Sequence, residues 1–490
     1  MAWAARVPAR LFSLLVAIAA SGCAWFGDET RRAEMMTMPA MSLTLADAGS
    51  RVFADAAWPQ AHWWESFNSP ELTRLITTAL AGNPDLQAAA ARLRQSQAMV
   101  DAQAAELYPT VDANVSFSAQ RFSANSTQVR FAGENFRQLL INPLILRYHL
   151  DFWGRDQAAL EAAVGRSLAV DAELADAKLL LASAVAAGYF DLLTTGEKLL
   201  IAERIATESE TLLKLHQARL AAGLATEAPV LQARMALQAA RQQAAGLRAE
   251  AALQRNLLAT LAGQGPDWGH GIAMAGGVRP KSFAVPVDLP LRLLAHRPDV
   301  AAARLHAQAA ARQIKVAETA FYPDVNLIAF TGLHSVSMTD VLLQGASLAY
   351  AVGPSIEFPI FEGGRLRANL SYREAAYDTA VEVYNGSLLR AVQEVADALA
   401  RWREIDKRIA EQTQSVAEAV RAKDLAVSLI RSGLNNNTDL TLACLEEQQQ
   451  RLRLTALQGR HFKVAVQVIK ALGGGFNETK TKDQKDSHAH

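Results

Sequence analysis

The feature that most constrains the fold of this chain is an internal duplication. Three spacings are identical in its two halves: 25 positions from Pro84 to Pro109 and from Pro298 to Pro323, 68 positions from Arg155 to Gly223 and from Arg365 to Gly433, and 40 positions from Gly223 to Gly263 and from Gly433 to Gly473. A register kept over such distances indicates that one structural unit is present twice. We therefore expect two repeats, residues 58–265 and 266–475.

Each repeat is expected to contain one very long helix, followed by a shorter helix that runs back along it. No proline occurs between Leu144 and Ala228, and none follows Pro359. The stretches 155–222 and 365–432 are rich in alanine, leucine and charged residues, which favour helix. A helix of this length extends about 100 Å. Such helices are typical of a coiled coil or a helical tunnel, and a tight glycine turn then returns the chain in a shorter helix.

Strand-like sequence follows a first helix of about 25 residues, which ends at Tyr108-Pro109 or Tyr322-Pro323 because proline disfavours helix in the residue before it. Residues 111–120 alternate apolar and polar side chains, as do residues 146–152. The equivalent stretches of the second repeat, 324–332 and 347–358, alternate more weakly. A period of two over about ten residues is typical of membrane β-barrels.

Four strands in one chain are too few to close a barrel, because the smallest known membrane barrels have about eight. If the strands lie in a membrane, copies of the chain must associate, since lipid does not tolerate open strand edges. A dimer would supply eight strands and a trimer twelve, and the periodicity does not choose between them. The alternative is a soluble hairpin packed on the helices.

The N-terminus has the features of an exported lipoprotein. Basic residues precede a short apolar run, residues 11–20, and small residues then lead to Cys23. This order is typical of a secretory signal peptide, here residues 1–22, and resembles a bacterial lipoprotein box. We expect lipidation of Cys23, and Ala24 favours sorting to the outer membrane. The alternative is an ordinary signal peptide with an incidental cysteine.

The mature termini are expected to be irregular. Residues 23–57 are interpreted as a lipidated, mobile linker, and residues 476–490 as a disordered polar tail. The linker carries a methionine cluster that could bind Cu(I), although a plain tether is the favoured interpretation: Met35, Met36, Met38 and Met41. After the leader we expect no transmembrane helix, because no apolar run of about 18 residues is evident.

Composition and motifs argue against several other functions. Lysine plus arginine number 49, as do aspartate plus glutamate, so the chain has no basic excess that would favour nucleic acid. Nucleotide-binding loops, zinc-protease motifs and nucleophile elbows are missing from the sequence. We therefore expect no enzyme activity and no cofactor.

Several motifs together resemble one known family. The segment Trp63–Leu72 reads WWESFNSPEL and is followed by Asn83-Pro84-Asp85-Leu86. With the two Tyr-Pro pairs, Phe-Trp-Gly-Arg at 152–155 and the paired Gly-Leu turns, these residues resemble the outer-membrane factors of the TolC, OprM and NodT type. The resemblance implies an α+β membrane protein: a homotrimer with a twelve-stranded outer-membrane β-barrel continuous with a long periplasmic α-helical barrel.

The resemblance also implies partners and functional residues. A periplasmic adaptor protein would dock at the helix turns Gly223-Leu224 and Gly433-Leu434, although these could be plain helix caps. Asp439 would lie at a periplasmic gate or be an ordinary solvated acid. Relatives usually have an aspartate nine positions after the glycine that corresponds to Gly433. This chain has Leu442 at that position, so a gate formed by apolar side chains is an equal interpretation.

The function that we predict is passive conduction of drugs or other small toxic molecules from an inner-membrane pump, expected to be proton-driven, through the adaptor to the exterior. The chain would be anchored by lipid in the outer membrane and extend into the periplasm. One alternative is an outer-membrane duct for type I protein secretion. The other is a structural coiled-coil lipoprotein that does not conduct.

Overall fold

The computed structural model describes residues 32–39, 41, 58–125, 130, 132–274, 296–336 and 347–477. The predicted signal peptide, Cys23 and most of the C-terminal tail lie outside these residues. The first half contains, in chain order, a 3₁₀ helix (Trp63–Phe67), α1 (Pro70–Gly82), α2 (Pro84–Ala105), β1 (Thr110–Arg121), β2 (Asn135–His149), α3 (Arg155–Ala221), α4 (Glu227–Leu261) and α5 (Pro266–Gly269). The second contains α6 (Pro298–Thr319), β3 (Asp324–Ser335), β4 (Leu348–Glu357), α7 (Arg365–Arg431) and α8 (Asn437–Ala471).

The element order agrees with the duplication predicted from the sequence. Helices α3 and α7 have 67 residues each, and α4 and α8 have 35 residues each. The long helices therefore extend about 100 Å and the return helices about half as far. Helices α2 and α6, with 22 residues each, both begin with proline and both lead into a strand.

The four strands form one antiparallel sheet in the order β1-β2-β3-β4. Its register shifts in β2, where Asn142 faces Asn114 but Ile145 faces Asp112, so the strand bulges at Pro143. Proline cannot donate a ladder hydrogen bond and is tolerated inside a sheet only at such an irregularity. Within the described part of the chain, the outer strands β1 and β4 each pair with one strand only, so each leaves one edge of the sheet open.

The bulge explains a difference from the predicted second strand. The alternation at 146–152 suggested a strand there, whereas β2 begins at Asn135 and ends at His149. The extra residue at the bulge reverses which face the odd-numbered and even-numbered residues occupy. The alternation at 146–152 therefore does not continue through Leu139–Ile141, and this part of the strand was not predicted. Phe152 lies in the turn before α3.

The main core lies where the helices of both repeats meet. Trp63, Trp64 and Phe67 pack with Phe190 of α3 and with buried residues of α1, α7 and α8. The same core explains the apolar character of α3, in which an 18-residue window reaches a mean hydropathy of 1.4 with 67% of it buried. The sequence analysis found no apolar run of about 18 residues after the leader, and this was wrong for α3. The apolar side chains of α3 are explained by its packing against neighbouring helices.

The two repeats close in equivalent ways. Gly263, just after α4, has φ +69°, and a β-carbon there would lie 2.1 Å from the carbonyl oxygen of Gly82. Gly473, just after α8, has φ +84°, and its β-carbon would lie 1.8 Å from the carbonyl oxygen of His296. Each return helix thus ends against the start of its own repeat at a distance that only glycine permits.

The residue before the helix-starting proline completes each closure. Asn83 Nδ2 donates to the carbonyl oxygen of Leu261 at 3.0 Å, and Arg297 Nη1 donates to that of Ala471 at 3.1 Å. Leu261 and Ala471 are the last residues of α4 and α8. These bonds satisfy carbonyls that a helix end leaves without an internal partner.

Arg297 also stands at the centre of a buried ionic cluster. Its side chain, 6% exposed, forms ion pairs with Asp299 at 2.7 Å and Glu394 at 2.9 Å. Burial, followed by repulsion from Asp299, raises the pKa of the nearby Asp176 to about 6, although Arg297 and Lys470 oppose the rise. Three acids and two bases therefore share one site between α3, α6, α7 and α8.

Part of the N-terminal segment is attached to the body. Residues 32–39 are extended along α7, where the backbone nitrogens of Ala33 and Met36 donate to Asp378 at 2.8 Å and Asn385 at 2.7 Å. Met41 is buried in the main core, against which Met35 and Met38 also pack. The interpretation as a mobile tether is wrong for these residues, and three of the four methionines have a packing role.

The segments at the predicted repeat boundary and at the C-terminus are also packed. Arg255 of α4 donates to the carbonyl oxygen of Ile272, which is buried, so residues 266–274 lie against the first repeat. Phe476 packs on α3 and α6, beyond the predicted end of the second repeat.

Candidate functional site

The sheet has one continuous apolar face, which we call the outer face. The strand register places Val111, Val115 and Phe117 of β1 on the same side as their β2 partners Leu146, Ile141 and Leu139. β3 and β4 continue this side with Leu327, Ala329, Leu333, Leu348, Tyr350, Val352 and Ile356. The side chains of the two edge strands are strongly exposed, for example Val115 at 67% and Tyr350 at 75%. A single chain in water would leave this face uncovered.

The opposite side, which we call the inner face, is mainly polar. β1 contributes Asp112, Asn114, Ser116, Ser118 and Gln120, and β4 contributes Ala349, Ala351, Gly353, Ser355 and Glu357. Arg147 of β2 pairs with Asp112 at 2.7 Å. The sequence prediction of an apolar and a polar face is thus confirmed for β1. In β4, for which a weaker alternation was predicted, the inner side carries small residues as far as Gly353 and polar ones only at Ser355 and Glu357.

Exposed aromatic residues gather where the strands join the helices. They are Tyr108, Phe152, Trp153, Phe321, Tyr322, Phe358 and Phe361. Trp153 stacks on Tyr322 at 5.0 Å and donates through Nε1 to the carbonyl oxygen of Pro323 at 2.8 Å, so the two repeats touch here. Aromatic rings of this kind are enriched at membrane–water interfaces.

The start of α3 is held by a side-chain cap. Asp151 accepts hydrogen bonds from the backbone nitrogens of Arg155, Asp156 and Gln157 at 2.6–3.0 Å. His149 of β2 contacts both Asp156 and Asp324, and Arg155 pairs with Asp324 at 3.2 Å. The strand-to-helix junction is therefore rigid, with Gly154 at φ +72° making the turn.

The two Gly-Leu turns lie at the far ends of α3 and α7, the end opposite the sheet. Gly223 and Gly433 have φ +73° and +72°. The backbone nitrogens of Leu224 and Leu434 donate to the carbonyl oxygens of Arg219 and Leu429 at 2.8 and 2.9 Å. This hydrogen-bond pattern is that of the Schellman motif at a helix C-terminus.

The side chains at these turns separate the two interpretations of the sequence. A cap leucine often packs back on its helix, but Leu224 is 71% exposed and Leu434 is 76% exposed. The glycines make helix caps, while both leucines stay available for a contact with another molecule.

Asp439 and Leu442 lie one turn apart in the first turns of α8. Asn436 caps this helix by accepting from the backbone nitrogens of Thr438 at 2.8 Å and Asp439 at 3.2 Å. Asp439 is exposed, and Leu442 is 49% exposed. The structure therefore brings both candidate gate residues to one accessible surface near the Gly433 turn.

A buried acid links α7 and α8 behind this surface. Glu447 of α8 is 3% exposed and pairs with Lys423 of α7 and Arg451, each at 2.7 Å. Burial raises the pKa of Glu447, but the two cations outweigh burial and hold that pKa below its ordinary value. The sequence analysis did not identify this tie, because lysine and glutamate are frequent on both helices.

Sequence reasoning also missed a group of residues on the inner face. Asn142, Phe330 and His334 meet there, beside the bulge in β2. The Asn142-Pro143 pair inside a strand was the available signal, because proline within a strand marks an irregularity. Within the described residues no cluster of three or more His, Cys, Asp or Glu side chains has the geometry of a metal site.

Comparisons with known proteins identify the family. The family model described as outer membrane efflux protein matches residues 75–264 and 289–474. The multidrug resistance outer membrane protein MdtP of Escherichia coli O6:H1 is 30% identical over 441 residues, covering 88% of this chain and 90% of MdtP.

Solved structures agree with this match. The outer membrane protein VceC of Vibrio cholerae is 31% identical with a TM-score of 0.77, over 86% of this chain and 100% of VceC. The outer-membrane channel OprN is 26% identical with a TM-score of 0.81, over 92% of this chain and 99% of OprN. The resemblance drawn from the sequence motifs is confirmed. The chain therefore belongs to the outer membrane efflux protein family, and its function is efflux through an outer-membrane channel.

Proposed function

We propose that three copies of this chain form a pore in the outer membrane, with a twelve-stranded β-barrel continuous with a periplasmic α-helical barrel. The observation that carries the proposal is the sheet, which has an apolar outer face, a polar inner face and two open edges. Pairing the β1 edge of one copy with the β4 edge of the next removes every open edge in a closed ring. Such a ring turns its apolar face to lipid and encloses a polar lumen.

The helices support the same ring. α3 packs against α4, α6 and α8, and α7 packs against α6 and α8. The helices therefore form a wall in which α4 and α7 stand at opposite sides. Leucines and a methionine on the open side of α4 are exposed, which suits contact with a neighbouring copy: Leu231, Met235, Leu253 and Leu257.

The position of the aromatic residues and of the N-terminal segment suits a lipid-anchored protein. Arg32 pairs with Glu374, nine residues after the start of α7 and about 14 Å below the sheet. The nine residues back to Cys23 span at most about 30 Å. A lipid on Cys23 can therefore reach the membrane surface that the exposed aromatic residues mark.

The cargo and partners that we propose follow from the family. MdtP is named for multidrug resistance, and we propose that this channel conducts drugs or other small toxic molecules. An inner-membrane pump, driven by protons, would deliver them through a periplasmic adaptor protein. The channel itself needs no chemistry. Leu224 and Leu434, exposed at the far ends of the long helices, suit docking of the adaptor.

A photo-crosslinking amino acid at Leu434 in living cells tests the docking and the pump class. We expect capture of an adaptor that belongs to a proton-driven pump, because an apolar side chain 76% exposed at the tip is open to a partner. Leu200, 60% exposed on α3 far from the turn, is the matched control and should not capture the adaptor.

The other outcomes of the crosslinking experiment are informative. Capture of an adaptor from an ATP-driven exporter would move the function to type I protein secretion. A well-expressed trimer that captures no periplasmic partner would contradict docking at the tip. A chain that forms no trimer and conducts no ions would contradict the pore itself and favour the structural lipoprotein.

We further propose that Asp439 and Leu442 narrow the periplasmic mouth. Three copies of Asp439 around a narrow aperture would favour cations. Asp439→Asn is expected to reduce cation selectivity in planar bilayers with little change in conductance, whereas Leu442→Ala is expected to raise conductance and leave selectivity unchanged. If neither variant differs from the wild type, the gate lies elsewhere.

A further inference from the structure

The inner face of the sheet is not uniformly polar. The strand register aligns Asp112, Ile145, Phe330 and Ala351 in one row across β1 to β4. Four residues further along β3, Leu140 faces His334. A patch of apolar and aromatic side chains therefore lies within a face that is mainly polar.

This patch is a built arrangement. The rings of Phe330 and His334 stack at 5.6 Å with 11° between their planes. Gly332 lies between them, and a β-carbon there would approach Asn142 Oδ1 to 2.2 Å. The Asn142 side chain, placed by the bulge, thus lies over the glycine. The bulge and the glycine together fix the positions of both rings.

The polar atoms of the patch have defined roles. His334 Nε2 and Asn142 Oδ1 are 2.8 Å apart. Because a carboxamide oxygen only accepts, the histidine donates through Nε2. In the neutral ring the other nitrogen, Nδ1, is then an acceptor. The patch therefore offers an aromatic surface next to a hydrogen-bond acceptor.

A shallow trough adjoins the rings on the β4 side. There Gly332 faces Ala349, Phe330 faces Ala351, and Ile328 faces Gly353. A β-carbon on Gly353 would meet nothing within 4 Å. Small residues thus form an open floor beside the edge of Phe330, with room for a flat molecule.

The net charge of the inner face favours a cation. The charged residues of the inner face are Asp112, Asp324, Glu357 and Arg147. Arg147 pairs with Asp112, and Arg155 of α3 pairs with Asp324. Within the described residues no cation lies within ion-pair distance of Glu357. Each chain therefore contributes an excess of one carboxylate to this face.

We propose that this trough is a contact site for aromatic cations that pass through the channel. A planar ring stacks on Phe330 or His334, and a polar hydrogen of the same molecule bonds to His334 Nδ1. The proposal rests on the pore described above, in which the inner face lines the lumen and three copies of the site surround the path.

The test uses the purified full-length trimer in planar bilayers. Ethidium is added on the extracellular side, which is the end of the pore that the β-barrel forms. We expect brief blocks of the ion current whose frequency rises with ethidium concentration. Phe330→Ala should shorten the mean block about three- to tenfold, as expected for loss of one aromatic contact. Tetramethylammonium, a cation without a ring, should cause no such blocks.

Two further variants keep the test decisive. Phe330→Leu retains apolar volume and folding but lacks the ring, and it should shorten the blocks like Phe330→Ala. Ser118→Ala, on the inner face of β1, should behave as the wild type. Blocks of equal duration in Phe330→Leu and wild type would overturn the contact site while leaving the pore intact. A wild-type protein that does not conduct would instead contradict the proposed function.

Discussion

Replacing Gly263 with alanine is expected to destabilise the folded protein far more than the same change at Gly223. Both glycines have positive φ, +69° and +73°, so alanine costs about 1–2 kcal/mol at either position. At Gly263 the new β-carbon would also lie 2.1 Å from the carbonyl oxygen of Gly82, whereas at Gly223 it meets nothing within 4 Å. Overpacking adds about 1–3 kcal/mol where the backbone must move.

The midpoint of heat unfolding of the detergent-purified protein measures this difference. We expect a small decrease in this midpoint for Gly223→Ala and a large decrease, or loss of folded protein, for Gly263→Ala. Gly473→Ala in the second repeat should behave like Gly263→Ala, because its β-carbon would lie 1.8 Å from the carbonyl oxygen of His296. Equal midpoints for Gly223→Ala and Gly263→Ala would show that this closure of the repeat is not tightly packed.

Replacing Arg297 with alanine is the second change with a large expected effect. The side chain, 6% exposed, binds Asp299, Glu394 and the last carbonyl of α8. Its loss leaves carboxylates in a partly buried site without their main cation, which typically costs about 3–5 kcal/mol. Arg408→Ala is the matched control, because Arg408 forms an exposed pair within one helix and such pairs contribute about 0.5 kcal/mol.

The loss of stability caused by Arg297→Ala is expected to depend on pH. The pKa of Asp176 is about 6 in the folded chain, above its ordinary 3.8, so folding loses stability as pH rises from about 4 to 6. Removing Arg297 raises this pKa further, since Arg297 opposes the rise, and the loss of stability then continues to higher pH. The difference between wild type and Arg297→Ala should be larger at pH 8 than at pH 5. Parallel pH curves would show that Asp176 does not respond to Arg297.

Much of the fold could be predicted from the sequence because its strongest signals are local. The proline-free stretches allowed helices as long as α3 and α7, since proline ends helices, and the glycines next to them gave the helix ends to within one residue. Equal spacings gave the duplication. The start of β2 at Asn135 was not predictable, because the bulge at Pro143 changes which side each residue faces and a periodicity cannot report that.

The residues of the candidate site were predictable only where the residue type itself indicates the structural role. Gly223 and Gly433 were identified as turns because positive φ favours glycine. Whether Leu224 and Leu434 are exposed depends on neighbours distant in sequence, and only the structure gives it. The same holds for Met41, which reads as part of a polar linker but lies in a core built from both repeats. Arg297 resembles a surface residue in sequence and is buried by helices more than 90 positions away.

The open edges of the sheet also determine how a defective copy behaves in a cell that makes intact copies. In the proposed ring, a chain damaged only at β1 still offers a normal β4 edge, so an intact neighbour would accept it. The ring then fails to close at the damaged edge, and the intact subunits in it are lost as well. If the ring forms as proposed, we therefore expect alleles that alter one edge strand to be dominant over the wild type, and alleles that produce no chain to be recessive.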